Sequence, residues 1–412
     1  MDWSNRFSQI AKDAQTSEIR ELLKLLADPE ILSFAGGIPD PALFPIAGFQ
    51  RISNAIAADP SRNRQALQYA PTEGYVPLRT WAAERANAPE LALDIDNVLI
   101  TNGAQQGLTL LAAALIDIGT PIAVAAPTYL GALQVFETRQ PRIITVATDT
   151  DGLRLDALEA AFREEVRFLY TIPDFQNPGG FSQSEERRAG IVALAHRYGV
   201  PILEDTAYRD LYYDAPPPPS LLQMEARLRS SECSAGSWRE KGLVVQLGTA
   251  SKTLMPALRI GWVIAPLPIM EKLIVLKQAD DLNTSSLNQM LTHDLATTIL
   301  NDHVAMLRSI YGERRDILVE TLRQHLPNDA HFTTPKGGMF VWLTLPTGVD
   351  ARDLLQAAIT EEKIAFVPGT AFHAHGGGEN TLRLSFSTCQ PDDIRRGMET
   401  LCALIRRLEN DR

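Results

Sequence analysis

Short apolar runs alternate with amphipathic segments through the middle of the chain. The runs have the length and β-branched content of buried strands, and the segments between them place apolar residues at helical spacing. The predicted strands cover residues 98–101, 122–126, 143–146, 168–172, 200–205, 243–247 and 260–265. This alternation predicts an α/β fold, in which a mostly parallel sheet is covered by helices on both faces.

Turn-forming residues separate these elements. Asn102–Gly107 is polar and glycine-containing, and it predicts a turn that opens a helix over Leu108–Ile116. Such a turn offers backbone N–H groups and the positive end of a helix to an anion. Nearer the start, residues 32–45 are rich in glycine and proline and predict a loop. Before this loop, Ser17–Leu26 predicts a helix with Ser17 as its N-cap.

Beyond residue 290 the pattern changes to long helices with a few strands. A helical pattern covers Leu291–His325 and another covers Asp392–Leu408, with strands predicted over 337–343, 364–367 and 381–386. Arg383 lies in the middle of the last of these strands, where its side chain is predicted to face away from the core. This region is predicted to form a smaller α+β unit.

The charge balance excludes one class of partner. The 412 residues include 39 Lys and Arg against 50 Asp and Glu, which gives a net charge of −11. No basic block is present, so we expect no nucleic-acid binding. At this length the chain is predicted to form two domains, or one large domain with a smaller companion.

Cysteine usage and apolar content bear on the compartment. Three cysteines without metal-ligand spacing favour a reducing environment. The first residues are polar and charged, which argues against a signal peptide, and no apolar run approaches the roughly 18 residues of a membrane helix. His373 and His375 have no apparent third ligand, so no metal site is expected. We therefore expect a cytoplasmic protein that makes no membrane contact.

The candidate chemistry is concentrated between two predicted strands, in residues 248–262. Lys252 lies there between buried segments, and burial disfavours the charged form of a lysine. A neutral lysine amine can form a Schiff base with an aldehyde. Thr249, Ser251 and Arg259 flank it, and hydroxyls with a guanidinium suit a phosphate. Lysine, aldehyde and phosphate together indicate pyridoxal 5′-phosphate (PLP). The alternative is that this stretch is a surface loop that contains Lys and Arg without a chemical role.

Two further residues follow predicted strands. Asp205 ends its strand, and ligands of parallel sheets bind at the carboxyl ends of strands. A carboxylate there would keep the pyridine nitrogen of PLP protonated, but an Asp in this position also suits a helix N-cap. Tyr129 follows another strand, where it would stack on a planar ring or simply pack.

These residues and their neighbours resemble the class I/II aminotransferases of PLP fold type I, most closely the 2-aminoadipate and kynurenine aminotransferase branch. The resemblance covers nearly the whole chain. The matching segments are AGGIPDPALFP, LQYAPTEG, TNGAQQGL, APTYLG, PDFQNPGG, EDTAYRDLYY, GTASKTLMPALRIGW, KQADDLNTSSLNQ, GGMFVWL, FVPGTAF and LRLSFS. The resemblance implies a mostly parallel, seven-stranded sheet in a large PLP-binding domain, residues 46–290. It also implies a smaller α+β domain, residues 291–412, with residues 1–45 joining it and covering the substrate.

The resemblance implies roles for individual residues. Lys252 would hold PLP as a Schiff base and shuttle a proton, Asp205 would pair with the ring nitrogen, and Tyr129 would stack on the ring. Asn177 and Tyr208 would hydrogen-bond its phenolic oxygen. The residues implied for the phosphate are Gly103, Ala104, Gln105, Thr249, Ser251 and Arg259. Tyr69, together with Thr284 or Ser285, would cross from the neighbouring subunit of a homodimer with shared active sites.

The substrate would be held by a second group of residues. Arg383 would bind the α-carboxylate with Asn177 nearby, and Gly37 would close over the substrate. Arg20 would meet a distal carboxylate of an acidic substrate, unless it is a solvated helix residue. Some positions depart from the family pattern: Ala104 lacks a hydroxyl that several relatives have, and Asp174 and Gly179 replace the commoner Asn and Thr. Residues 220–242 form a longer connection, in which Leu228–Lys241 is predicted to be an exposed loop.

The implied function is transfer of an amino group from an L-amino acid of the 2-aminoadipate, aromatic or branched apolar type to a 2-oxo acid, 2-oxoglutarate, by a ping-pong mechanism. One alternative is a PLP-dependent β-lyase or decarboxylase; Arg383 favours transamination over it. Another is the ligand-sensing part of a MocR-type regulator. The aminotransferase pattern begins by about residue 17, which leaves no room for the DNA-binding module that such regulators carry. The individual amino donor and acceptor stay open at this point.

Overall fold

A computed structural model of the chain describes residues 3–13, 30–230 and 237–410. Arg20 and the helix predicted over Ser17–Leu26 lie outside the described residues. Within them the strands are β1 Leu32–Ser33, β2 Val98–Asn102, β3 Pro121–Ala126, β4 Arg142–Asp149, β5 Gly152–Leu153, β6 Leu169–Thr171, β7 Ile202–Asp205, β8 Val244–Thr249, β9 Ile260–Ile264, β10 His331–Phe332, β11 Phe340–Thr344, β12 Ile364–Ala365, β13 Val367–Pro368 and β14 Thr381–Ser385.

Helices connect most of these strands. They are α1 Gln9–Asp13, α2 Ile46–Ala58, α3 Pro60–Ala66, α4 Val76–Ala86, α5 Gly103–Leu115, α6 Leu130–Glu137, α7 Leu155–Phe162, α8 Glu185–Tyr198, α9 Leu221–Ser230, α10 Trp238–Lys241, α11 Leu267–Asp280, α12 Ser286–Thr298, α13 Leu300–His325, α14 Ala351–Glu362 and α15 Pro391–Asn410. None of the described helices is long and apolar enough to cross a membrane.

The main sheet has the strand order β2-β9-β8-β7-β6-β3-β4-β5. Neighbours from β8 to β4 are parallel, whereas β9 is antiparallel to both β2 and β8. The seven longer strands are the predicted ones. The last, β5, has two residues and pairs antiparallel to β4, and so short a strand leaves no periodic pattern to detect. The predicted mostly parallel α/β fold is confirmed.

Apolar residues are buried on both faces of this sheet. Ile202 and Val244 belong to one core cluster, while their neighbours Leu203 and Val245 belong to the other. Successive residues of a strand point to opposite faces, so both faces are covered. This double burial explains why the strands have continuous apolar runs rather than alternating ones.

The turn predicted over Asn102–Gly107 is wrong, because helix α5 already begins at Gly103. The chain passes from β2 to α5 at Gly103 alone. This residue has a φ of +73°, a conformation that glycine adopts without a steric penalty. Gly107, the second presumed turn residue, lies inside the helix. A Cβ added there would come within 2.6 Å of Leu247, so this glycine allows the helix to pack closely on β8.

The helical pattern predicted over Leu291–His325 is divided in the structure. Helix α12 ends at Thr298, Ile299 has a non-helical φ of −131°, and α13 begins at Leu300. The boundary predicted between residues 290 and 291 falls inside α12, and Met290 and Leu291 both pack in one core of the main sheet. The division of the chain into domains therefore stays a prediction.

A second sheet lies in the C-terminal part of the chain. Its order is β10-β11-β14-β13, and all its neighbours are antiparallel. Strand β1 pairs with β12, and Phe34 extends this contact by donating to Ala365 O and accepting from Ser385 N. The loop that follows Phe34 is thereby attached beside β14.

The exposed loop predicted over Leu228–Lys241 is wrong where the structure describes it. Helix α9 extends to Ser230, and Trp238 at the start of α10 is almost fully buried. Burial of a large aromatic side chain is favourable enough to hold this segment against the protein, although the neighbouring residues are polar. Residues 231–236 lie outside the described part.

Candidate active site

Lys252 follows the carboxyl end of β8. Its Nζ donates to Gly37 O at 3.0 Å and lies 5.8 Å from the centroid of the Tyr208 ring. Burial lowers the pKa of this lysine to about 8, with Arg383 and Arg259 adding to the effect and Asp205 opposing it. The amine is thus poised to lose its proton near neutral pH, as chemical use of a lysine requires.

Asp205 ends β7, the strand beside β8. Its carboxylate is buried and accepts hydrogen bonds from the hydroxyl of Tyr170, at 2.9 Å, and the backbone N–H of Ala207, at 3.2 Å. Burial raises the pKa of Asp205, while these two donors and the charge of Lys252 act against the rise. A turn rather than a helix follows Asp205, so the alternative role of helix N-cap is wrong.

Two tyrosines and an asparagine lie beside these groups. Asn177 Nδ2 approaches the hydroxyl of Tyr208 at 3.5 Å. Burial raises the pKa of Tyr208 well above its ordinary value, and the neighbouring Tyr129 is the next largest cause. Burial also raises the pKa of Tyr129, and the charge of Asp205 is the next largest cause of the rise. Both phenols therefore stay protonated and serve as hydrogen-bonding or stacking groups.

Arg383 on β14 is buried among contacts from three other segments. Its guanidinium donates to Asn177 Oδ1 at 2.8 Å and to Ala35 O at 2.7 Å. The rings of Phe340 and Phe372 lie 4.4 and 5.0 Å from the guanidinium carbon. Its Nε is buried and makes no hydrogen bond within the described residues. Burial lowers the pKa of Arg383 to about 10, so the group stays charged at neutral pH.

Arg259 lies against the first turn of α5. Its Nη2 donates to Asn102 O at 3.2 Å, and a Cβ added to Gly103 would come within 2.7 Å of the same nitrogen. A Cβ on Gly261 would lie 2.5 Å from Ala104 N. The strand, the arginine and the start of the helix therefore touch, and neither glycine position has room for a side chain.

Hydroxyls and backbone N–H groups complete this end of the site. Thr249 Oγ1 lies 3.0 Å from Ser251 Oγ and accepts from Ser251 N. The N-cap residue Asn102 makes no side-chain hydrogen bond to α5. The first N–H groups at the positive end of this helix are therefore available to an anion. The amide of Gln105 donates to Gly131 O at 3.0 Å, so its backbone rather than its side chain is available to an anion.

Tyr69 is not brought to the other candidates within one chain. Its side chain is 80% exposed. Thr284, a further residue considered for the neighbouring subunit, is buried and donates to Ile100 O within its own subunit. Ser285 is exposed, and its hydroxyl accepts a hydrogen bond from Asn288 N. A contribution across a dimer therefore stays a prediction for Tyr69 and Ser285.

The sequence and the fold both match known proteins. The family model described as aminotransferase class I and II matches residues 47–401. This chain belongs to the class I and II aminotransferases. It is 40% identical over 411 residues to the 2-aminoadipate transaminase of Thermus thermophilus, with 99% of this chain and 98% of that protein covered.

Solved structures agree with this assignment. An α-aminoadipate aminotransferase of Thermus thermophilus, complexed with N-(5′-phosphopyridoxyl)-L-leucine, has a TM-score of 0.89 at 39% identity over the full length of both chains. A multiple substrate aminotransferase of Thermococcus profundus has a TM-score of 0.91 at 33% identity, also over both full chains. The chain is a PLP-dependent aminotransferase of fold type I, as the sequence predicted.

The residues present suit the cofactor of this aminotransferase. An amine of lowered pKa stands ready for an aldehyde, and a buried carboxylate at Asp205 suits a pyridine nitrogen. An uncapped helix start beside Arg259, Thr249 and Ser251 suits a phosphate dianion. The close contact of Gly261 with the helix keeps these groups together without an intervening side chain.

Several residues of the site escaped sequence reasoning. Tyr170 lies inside an apolar strand and donates to Asp205, while Phe340 and Phe372 enclose the guanidinium of Arg383. The signal for Tyr170 was available, because a tyrosine in a buried strand needs a partner for its hydroxyl. The sequence contains no signal for the two phenylalanines, since apolar residues at those positions are equally expected in a hydrophobic core.

Proposed function

We propose that this aminotransferase moves the amino group of an L-amino acid of the 2-aminoadipate, aromatic or branched apolar type to 2-oxoglutarate by a ping-pong mechanism. The observation that carries the proposal is the pair of buried cations at one site. Lys252 has a pKa lowered to about 8 and suits proton transfer, whereas Arg383 has a pKa of about 10 and suits carboxylate binding. An amino acid needs both groups, one at its α-carbon and one at its α-carboxylate.

The cofactor is proposed to lie between the main sheet and β14. Its phosphate would be held by the start of α5 and by the group Gly103, Ala104, Gln105, Thr249, Ser251 and Arg259. Asp205 would hold a proton at the ring nitrogen, Tyr129 would stack on the ring, and Asn177 with Tyr208 would bind the phenolic oxygen. Bound there, PLP supplies an electron-withdrawing ring that makes the α-proton of an amino acid easier to remove.

The chain's own residues perform the proton transfer and the positioning. Arg383 would bind the substrate α-carboxylate through two parallel hydrogen bonds, a geometry suited to guanidinium. Its buried Nε, which has no partner among described residues, supports a ligand in that position. Lys252 would accept the proton from the α-carbon and return it during transfer. Gly37, whose carbonyl contacts Lys252, would cover the substrate from solvent.

Relatives support the substrate class. The 40% identical protein is a 2-aminoadipate transaminase, and a 36% identical one from Thermococcus litoralis is an aromatic-amino-acid aminotransferase. A donor and an acceptor with different side chains must share one pocket in a ping-pong reaction. The carboxylate common to both would bind Arg383, so selection between side chains must come from other groups, with Arg20 in the N-terminal segment as the proposed one.

A half-reaction screen tests the proposed substrates. Each amino acid is mixed with the PLP-loaded protein, and the cofactor absorbance is followed without an acceptor. We expect rapid conversion with 2-aminoadipate and with aromatic or branched donors, followed by recovery on addition of 2-oxoglutarate. Conversion only with donors outside these groups, or recovery only with other 2-oxo acids, would refute the substrate assignment. Arg20→Ala should raise KM for acidic substrates alone.

We also propose a homodimer in which Tyr69 reaches the phosphate of the neighbouring site. Exposure of Tyr69 and Leu67, at 80% and 75%, supports this, because large side chains so exposed in one chain suit a subunit contact. Ser286 Oγ donates to Gln68 O and fixes the position of this segment.

Mixing two inactive variants tests the shared sites. Lys252→Ala removes the amine from one site, and Tyr69→Ala weakens cofactor binding at the other. If sites are shared, co-refolded mixtures regain activity, because one site of each mixed dimer has both residues. Mixtures as inactive as the separate variants would contradict sharing, and sedimentation of a fully active monomer would exclude the dimer.

A further inference from the structure

A cleft of about 440 Å³ lies on the face of the main sheet opposite helix α5. Gln246 and Trp262 line it from β8 and β9. They alternate along their strands with Leu247 and Val263, which pack against α5, and successive side chains of a strand point to opposite faces. The cleft is therefore separate from the contact between α5 and the sheet.

Positive charge predominates in this cleft. Arg85, Arg209 and Arg308 line it, and Asp210 is the one carboxylate that lines it within the described part of the chain. Arg85 pairs with Asp210 at 2.6 Å. This balance is the reverse of the whole chain, which carries a net charge of −11.

Arg209 lies among several carboxylates. It contacts Asp174 at 2.8 Å, and the same carboxylate contacts the fully buried Arg188 at 2.5 Å. Burial acts to lower the pKa of Arg209, but the charges of Asp174, Glu204 and Asp210 outweigh it and raise this pKa. The charge of Arg209 is therefore compensated, and the proposal rests on Arg308.

Arg308 has no carboxylate partner among the described residues. Its Nε donates to the backbone carbonyl of Asp210 at 2.7 Å, and its guanidinium carbon lies 3.5 Å from the centroid of the Tyr212 ring. Its two terminal nitrogens make no hydrogen bond in the described ranges. Burial lowers the pKa of Arg308 and Arg85 adds to this, while Tyr212 and Asp210 act to raise it. Asp210 is already paired with Arg85, so Arg308 makes no ion pair of its own within the described residues, and a bound anion would offset the cost of its partial burial.

We propose that this cleft binds a small oxyanion of two or more negative charges, a polycarboxylate or a phosphate. The ring of Tyr212 fixes the plane of the Arg308 guanidinium, so its free edge is held ready for two parallel hydrogen bonds to such an anion. Asn301, about two turns earlier on the same helix α13, also lines the cleft and adds an amide donor. This site differs from Arg383, where the substrate carboxylate is proposed to bind.

The cleft also borders the candidate active site. Thr206 and Ala207 line it directly after Asp205, and Thr249 lines it two residues before Ser251. A bound anion would therefore touch the outer side of the segments that hold Asp205 and Lys252. The position suits an effector rather than a substrate.

Calorimetric titration of the PLP-loaded protein with citrate, and separately with inorganic phosphate, tests the site. We expect one saturable site per chain, with the tighter probe identifying the chemical class. Arg308→Met should weaken binding by about tenfold or more, because charged hydrogen bonds are lost. Arg383→Met and the surface variant Arg396→Met should leave Kd within about twofold of wild type.

Folding is checked by the cofactor absorbance and the Tm of each variant. Should Arg308→Met be unstable, Arg308→Lys keeps the charge without the planar fork and should weaken binding severalfold. No saturable binding of either probe would overturn the proposal. So would an unchanged Kd in the Arg308 variants, or loss of binding in Arg383→Met, which would assign the anion to the substrate position.

Discussion

Lys252 and Arg383 are two cations of one site that differ in how they hold their protons. The amine of Lys252 has a pKa of about 8, while the guanidinium of Arg383 keeps a pKa of about 10. Burial is the leading cause in both, but Lys252 also lies near two guanidiniums, whereas Arg383 lies near the phenols Tyr208 and Tyr129. The difference teaches that the same burial makes a lysine available for proton transfer and leaves an arginine as a permanent anion receptor.

The largest effect is expected at Lys252. Lys252→Ala removes the group that is proposed to move the proton, so kcat should fall by about 10⁴-fold or more. Cofactor binding, measured by equilibrium dialysis, should persist because the groups at Arg259 and the start of α5 are untouched. Wild-type turnover in a verified preparation would falsify the proposed role.

Arg383 is the other half of the comparison. Arg383→Lys keeps a positive charge but loses the planar pair of donors, and we expect kcat/KM for amino acids to fall by about 10²–10³-fold. Arg396→Lys on the exposed surface is the matched control. Equal kinetics of Arg383→Lys and the control would show that the charge alone suffices.

Asp205 is proposed to pair with the ring nitrogen, and its charge also raises the pKa of Lys252. Asp205→Asn should lower kcat by about 10²-fold while cofactor affinity changes little, since an amide supports no positive charge on the ring in the transition state. The pKa of Lys252 should fall further, because Asp205 raises it. A pH–rate profile measures the second effect. An unchanged kcat would leave the ring nitrogen to another partner.

Tyr170 is expected to tune Asp205 more gently. Tyr170→Phe removes one hydrogen bond to a buried carboxylate, for which a loss of about tenfold in kcat is expected. The pKa of Asp205 should rise, because the Tyr170 hydroxyl lowers it. Titration of the bound cofactor's absorbance reports this shift. The same titration curve in both proteins would reduce Tyr170 to a packing role.

The smallest effect concerns stability of the cofactor-free protein. In the folded chain the pKa of Lys252 lies near 8, below its ordinary value of 10.5. Between these two values the unfolded chain binds more protons than the folded one, so stability rises with pH through this interval. In Lys252→Met this contribution should be absent. Denaturant unfolding of both proteins is measured at pH 7.5, 8.5 and 9.5, values about a unit apart around the shifted pKa. The free energy of unfolding should rise more steeply with pH in the wild type than in Lys252→Met.

Sequence reasoning predicted the fold where the pattern was continuous. Paired buried strands such as β7 and β8 give apolar runs that need no tertiary information. The predicted start of α5 is wrong because Gly103 and Gly107 both have the sequence signal of a turn residue. Only packing distinguishes them, since Gly103 takes a positive φ and Gly107 makes room for Leu247.

Site residues that lie close together in the sequence could be predicted, whereas contacts between residues far apart in the sequence could not. Lys252, Ser251 and Arg259 lie within one short stretch, so their chemistry is visible together. Tyr170 bonds to a carboxylate 35 residues away, and Phe340 contacts Arg383 from a neighbouring strand. Such contacts are set by strand register and helix packing, which a single sequence does not display.

One loop supplies the carbonyl oxygens that contact both cations, Ala35 to Arg383 and Gly37 to Lys252. A ligand that occupies either cation competes with this loop for it. The first ligand breaks one of the two contacts, so the second ligand displaces a loop that is held less firmly. The two binding events are then linked by a favourable coupling free energy that acts equally in both directions.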